Sequence, residues 1–189
     1  MNKILAVISL VALASTAQAE GPDYNYLEGN YQRIDIDDDF ADVDGDGFAI
    51  AGSLEVAENW HIFASYGKAD LDFGIDLDEA SVGGGFHAAL SPTTDIVANL
   101  AYVSVDADAF GGSFDDDGFG VALGVRSLLT EQFELAGFIE YVDLDDAGDD
   151  TTLSGEGWYR LTRNFALGGK IGLGDDVTTY GLGARLYFD

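Results

Sequence analysis

The chain has 189 residues, 47% hydrophobic and 12% aromatic, with 25 glycines and no cysteine. Acidic residues outnumber basic ones 35 to 8, a formal charge of -27, and a surface that acidic repels a phosphate backbone, which argues against nucleic-acid binding. The apolar content is too high for an acidic disordered chain, and the lack of cysteine removes disulfides, thiolate metal sites and cysteine nucleophiles.

Met1 to Ala19 begin with a single cation at Lys3, run through the apolar stretch Ile4 to Ala14 and end in Ala17-Gln18-Ala19. Small residues stand where signal peptidase needs them, so 1–19 is expected to be a cleaved secretory signal. The apolar run is short of the roughly 20 residues of a spanning helix. Residues 20–189 are then one domain, beginning at Glu20, and with no lipobox cysteine a lipid anchor of that kind is not expected.

Beyond residue 20 the dominant period is two. Phe48, Ile50, Gly52, Leu54 and Val56 alternate with Ala49, Ala51, Ser53 and Glu55. The pattern returns in Phe119 to Arg126, in Phe133 to Tyr141 and in Thr179 to Phe188. Such alternation puts one face of a strand in an apolar medium and the other in a polar or crowded one. About ten strands are expected, over 24–35, 48–56, 60–69, 79–90, 95–106, 118–128, 133–143, 151–161, 165–174 and 178–188. Their lengths are near the ~9 to 11 residues with which a tilted strand crosses a bilayer. Short turns at 57–59, 91–94, 129–132 and 162–164 alternate with mostly longer, aspartate-rich connections at 36–47, 70–78, 107–117, 144–150 and 175–177. Short turns on one rim and long loops on the other are the layout of an outer-membrane barrel, all-β and antiparallel, with both termini on the periplasmic rim.

The charges support a bilayer rather than water outside. Glu28, Glu55, Arg126, Glu134, Glu140, Glu156, Arg160, Lys170 and Arg185 all fall on the phase opposite the apolar series of their own strands. A charge on the lipid face costs roughly 2 to 4 kcal/mol at midplane; a soluble barrel would instead scatter charge outside. Counting heights from the periplasmic rim, Glu156 and Lys170 should meet. Glu28 and Arg185 should meet across the closing seam, and Glu134 should lie beside both Arg126 and Arg160.

The signal, the opening Tyr24-Asn25-Tyr26-Leu27-Glu28-Gly29, the strand end Gly124-Val125-Arg126 and the closing Tyr180 to Phe188 strand resemble the small outer-membrane β-barrel proteins of Gram-negative bacteria. The OmpA and OmpX type is the nearest class. More narrowly, the layout is similar to the ten-stranded group associated with diffusible-signal-factor quorum sensing. The resemblance implies an up-and-down transmembrane barrel in the cell outer membrane, in contact with its lipid and lipopolysaccharide. It also implies folding by the barrel-assembly machinery, which would read Phe188 although Asp189 follows it. No peptidoglycan-binding domain is expected after the barrel, nor the tethering role of longer relatives.

Candidate chemistry is thin, and neither an enzyme nor a cofactor is expected. Asp42-Val43-Asp44-Gly45-Asp46-Gly47-Phe48 matches the start of an EF-hand loop. Its twelfth position is Ser53 rather than glutamate, so Asp42, Asp44 and Asp46 form a weak calcium candidate, better read as a solvated acidic loop with loosely bound divalent cations. His61 and His87 are expected to face the lumen near the periplasmic rim, with Ser65 and Glu55 as the nearest candidate partners; a structural role is favoured. Gly83-Gly84-Gly85 lies inside a strand, where it relieves crowding.

Two function classes remain. In a structural or surface-interaction barrel, Tyr24, Tyr26, Phe63, Phe138, Trp158 and Tyr187 plug the lumen and acidic external loops carry the role. In a narrow, weakly cation-selective channel, small residues such as Ala49, Ala51, Ser65, Ser81, Gly83, Gly124 and Gly168 line a path. Barrels near eight strands are filled by side chains, which favours the first.

Overall fold

The computed structural model describes residues 21–38, 41–109 and 111–188. Its ten strands are β1 (Tyr26–Asp38), β2 (Ala41–Ala57), β3 (Trp60–Leu71), β4 (Ile75–Ser91), β5 (Thr94–Ala109), β6 (Gly112–Leu128), β7 (Phe133–Leu144), β8 (Gly148–Arg160), β9 (Phe165–Leu173) and β10 (Val177–Tyr187). Each pairs antiparallel with its neighbours in sequence, and β1 closes on β10, giving an up-and-down barrel.

The period of two fixes what each face meets. Leu100, Ile139 and Leu182 are 58%, 60% and 74% exposed on the outside, while Arg126, Glu134 and Arg185 are fully buried in the lumen. An apolar exterior this extensive requires hydrocarbon, because water would leave a patch far larger than soluble proteins carry. The band ends upward in outward aromatics, among them Tyr31, Phe48, Tyr66, Tyr102, Phe119 and Tyr141. Tyr31 stands opposite Phe48, and Tyr102 opposite Phe119. Such a girdle marks a membrane interface, where an aromatic ring sits in lipid and its polar edge meets water.

Above that girdle the structure departs from the expected long loops. β1 and β2 stay paired to Asp38 opposite Ala41, and β5 and β6 to Ala109 opposite Gly112. β7 and β8 pair as far as Leu144 opposite Gly148, and β3 and β4 are joined by a short turn over Asp72–Gly74 in which Phe73 and Gly74 take positive φ. Segments 36–47, 70–78, 107–117 and 144–150 are therefore largely strand, not loop. The reason is that alternation continues there with its sense reversed. Ile34, Ile36, Leu71, Leu77, Val105 and Leu144 turn inward and are buried together, while the intervening aspartates face out. Asp44, Asp46, Asp70, Asp76, Asp106 and Asp143 are among these outward residues. Carboxylates on the outer face are compatible with pairing once that face meets water instead of lipid.

Candidate functional site: the lumen

The periplasmic floor is built from charges that the register brings together. Glu28 is the Cα partner of Arg185, and Glu156 of Lys170. Arg185 donates to Glu28 at 2.7 and 2.9 Å, to Glu134 at 3.2 Å and to Glu156 at 3.2 Å. Lys170 Nζ lies 2.5 Å from Glu28 and 3.3 Å from Glu156. Arg126 donates through Nε to Glu134 at 3.0 Å, with a second bond from its terminal nitrogen, and Arg160 lies 3.5 Å from the other oxygen of Glu134. The seven residues thus form one network. The sequence reading missed the bonds from Arg185 across the lumen to Glu134, because counting along neighbouring strands cannot show contacts across a barrel.

Aromatic rings pack this network from both sides. The Arg185 guanidinium lies 4.1 Å from the Trp158 ring centroid and 4.3 Å from that of Tyr26. Arg126 lies 4.7 Å from the ring of Tyr24, and Arg160 4.3 Å from that of Tyr187. Each contact is a cation–π attraction, strengthened for Arg126 and Arg185 by their full burial. Tyr24 precedes β1 and is fully buried. It stacks on His87 at 4.2 Å and on His61 at 5.4 Å, and its hydroxyl donates to Asp95 at 3.1 Å. The segment before the first strand therefore closes the floor instead of hanging below it.

The histidines face the lumen, where each has a polar partner. His61 Nε2 is 3.0 Å from Asn99 Oδ1, and His87 Nδ1 is 3.7 Å from Asp95. Glu55 stands opposite His61 in register, yet Ser65 Oγ bonds to Ser81 Oγ at 2.7 Å. The hydroxyl is thus engaged with Ser81 and not with either histidine.

Midway up, the expected small-residue lining is occupied. A Cβ at Gly83 would fall 2.5 Å from the Phe63 ring, one at Gly124 2.2 Å from Phe138, and one at Gly168 2.4 Å from Trp158. Inward glycines make room for rings from the adjacent strand, which fill the space a channel would need. A cavity of about 50 Å³ lies beside Glu79, Ser65 and Lys170. Over it lies the apolar roof, in which Leu77, Val103 and Val105 pack with Ile34 and Leu144.

The EF-hand candidate is overturned by its conformation. Asp42 to Phe48 is extended strand within β2, and an extended chain cannot wrap its ligands around one ion. Asp44 lies 2.7 Å and Asp46 3.8 Å from Arg33, so both are engaged on the outer face; the Asp42 side chain and residues 1–19 lie outside the described residues. Among the described residues no three acidic, histidine or cysteine side chains are grouped to hold a metal.

With this geometry in view, the family model described as an outer membrane protein beta-barrel domain matches residues 4–158. Among solved structures, the translocator domain of the autotransporter NalP from Neisseria meningitidis is similar with a TM-score of 0.52 at 8% identity, covering 87% of this chain and 88% of that one. The KdgM porin aligns with a TM-score of 0.48 at 12% identity, covering 86% and 99%. Ail, the attachment invasion locus protein of Yersinia pestis, aligns with 0.45 at 17%, covering 87% and 99%. The likeness to NalP is one of fold alone. No curated protein sequence matches.

Proposed function

The chain belongs to the outer membrane protein beta-barrel domain family, which sets it in the outer membrane, and we propose that its role there is structural or surface-interacting, neither conductive nor catalytic. The observation that carries this reading is closure at both ends. The lower lumen holds an ionic network with Arg126, Glu134 and Arg185 fully buried, and the upper lumen an apolar cluster in which Leu77 is 1% exposed. A solute would have to break the first and desolvate through the second.

The functional surface is then the aspartate-coated extension above the aromatic girdle. It stands at the height of the lipopolysaccharide phosphates, where loosely held divalent cations would bridge the two sets of anions. Residues 1–19 serve as the export signal, and the barrel-assembly machinery inserts residues 20–189. The second reading, a narrow channel with weak cation selectivity, is supported by the cavity beside Glu79.

Planar-bilayer recording of the refolded protein separates the two. Closure predicts a silent bilayer at moderate voltage. Regular unitary steps that favour cations would replace this reading with the channel.

A further inference from the structure

Above the girdle, β3 and β4 present Lys68, Asp70, Asp76 and Asp78 outward, as a face in water should. The hairpin they build ends in Asp72-Phe73-Gly74, and there the pattern breaks: Phe73 is 65% exposed. Its ring is too high to be a membrane anchor. Leu71, where β3 ends, lies five residues beyond the girdle residue Tyr66, roughly 16 Å along the strand.

The backbone at this tip is as unusual as the exposure. Phe73 has φ 63° and ψ 13°, the left-handed region in which a Cβ crowds the following carbonyl. Loops ordinarily place Gly, Asn or Asp there. Among the described residues the Phe73 ring stacks on no other ring and takes no part in the buried apolar cluster. Nothing within the barrel therefore offsets a strained backbone that holds an apolar ring in water, and residues kept in such a state cluster at contact and switch sites. In the sequence, single phenylalanines also stand between β1 and β2 and between β5 and β6, at Phe40 and Phe110.

We propose that Phe73 anchors a protein contact at the outer tip of the β3–β4 hairpin, its ring entering an apolar pocket on a partner whose rim carries lysine and arginine. A single aromatic side chain desolvated at the centre of a contact can supply much of its affinity. The charges beside it select the partner. Asp70, Asp72, Asp76 and Asp78 stand on this hairpin against the single cation Lys68, so an anionic lipid surface is repelled and a basic protein surface attracted. The inference names a partner class for the surface-interaction role proposed above and rests on that reading, which conductance tests separately.

The protein is refolded into discs of zwitterionic lipid and titrated with two short fluorescent peptides of equal charge, one alternating lysine with leucine and one alternating lysine with serine. Empty discs give the background. The lysine–leucine peptide should bind about tenfold tighter than the lysine–serine peptide. Phe73→Asn should erase that preference, leave lysine–serine binding unchanged and keep the thermal midpoint equal or higher, because asparagine tolerates the left-handed backbone. Phe73→Trp should retain the preference, since a large ring is restored. A preference that survives Phe73→Asn overturns the proposal. So does a fall in midpoint in that variant, which would show the ring packing on its own barrel. Ring-dependent binding to phosphatidylglycerol vesicles without a peptide preference would make a lipid surface the partner and overturn it as well. A silent bilayer with equal binding of both peptides would reject the Phe73 contact while leaving the closed barrel intact.

Discussion

The lower barrel and its extension are one sheet with opposite insides. Below the girdle, Leu100 and Ile139 face out while Arg185 and Glu134 are buried; above it, Asp76 and Asp106 face out while Leu77 and Val105 are buried. Strands β1 to β8 continue from one region into the other, so nothing in their backbone marks the change. What changes is the solvent. Hydrocarbon outside forces polar groups inward, where they must pair, and water outside lets the apolar set collapse. The lower half is therefore held by a network that is costly to break from one side, and the upper half by ordinary apolar burial.

The sharpest way to break the comparison is at Arg185. Its guanidinium serves Glu28, Glu134 and Glu156 together, so Arg185→Ala leaves three buried carboxylates short of a partner. Removing one member of a buried pair costs roughly 3 to 5 kcal/mol, and this site should lie at the upper end, read as urea unfolding in lipid vesicles. Lys170→Ala should cost less, because Arg185 still reaches both Glu28 and Glu156. Adding Glu156→Ala to Lys170→Ala should recover part of that loss. A double variant no better than the sum of its singles would show that the network does not act as one.

The upper region should respond to volume instead of charge. Leu77→Ala removes a buried side chain from the roof and should cost about 2 to 5 kcal/mol, while Asp106→Asn on the outer face should be close to neutral. In the lower barrel the faces trade roles. Leu100→Arg places a charge against lipid and should cost roughly 2 to 4 kcal/mol if Leu100 lies near midplane. A tolerated Leu100→Arg would move the membrane boundary away from the girdle.

Much of this was legible in the period of two. It put the charged residues of the lower strands on the lumen face, and the height count placed Glu28 opposite Arg185. The extension was misread because its aspartates look like loop composition, although Ile34-Asp35-Ile36 and Ile75-Asp76-Leu77-Asp78 keep the same alternation. Dense aspartates mask the periodicity there, and only the phase of Ile34, Ile36 and Leu77 relative to their own strands carries the reversal. The EF-hand resemblance failed for the same reason: carboxylates at alternate positions are what an outward strand face also looks like. Contacts across the lumen, such as Arg185 with Glu134, have no signature along the chain.

An ordered extension differs from loops in its resistance to protease. Because β5 and β6 stay paired to Ala109 opposite Gly112, protease added to intact cells should leave 103–108 and 113–118 uncut. The amides of Val103 and Val105 should exchange slowly despite standing above the membrane. Rapid cleavage within these segments would return them to loops.

The smallest expected effect lies on the outer face of the extension, where like charges are opposed. Asp70 and Asp76 are cross-strand partners, and directly opposite carboxylates repel. The hydrogen bond between them and the neighbouring negative charge raise the Asp70 carboxyl above its ordinary value. The folded protein therefore binds a proton there more readily than the unfolded chain does. The stability this contributes is present below the unfolded value and is lost as pH rises through the folded one. Since the pair is exposed and open to salt screening, the effect should be a shallow decline in thermal midpoint as pH rises through the carboxylate range, weaker at high ionic strength. Asp70→Asn should flatten that decline and raise the midpoint slightly at neutral pH, because one of the two opposed charges is gone. The lower barrel offers the control: Leu100→Ala on the lipid face should leave the slope unchanged. A slope that survives Asp70→Asn would mean that the proton binds elsewhere on the aspartate face.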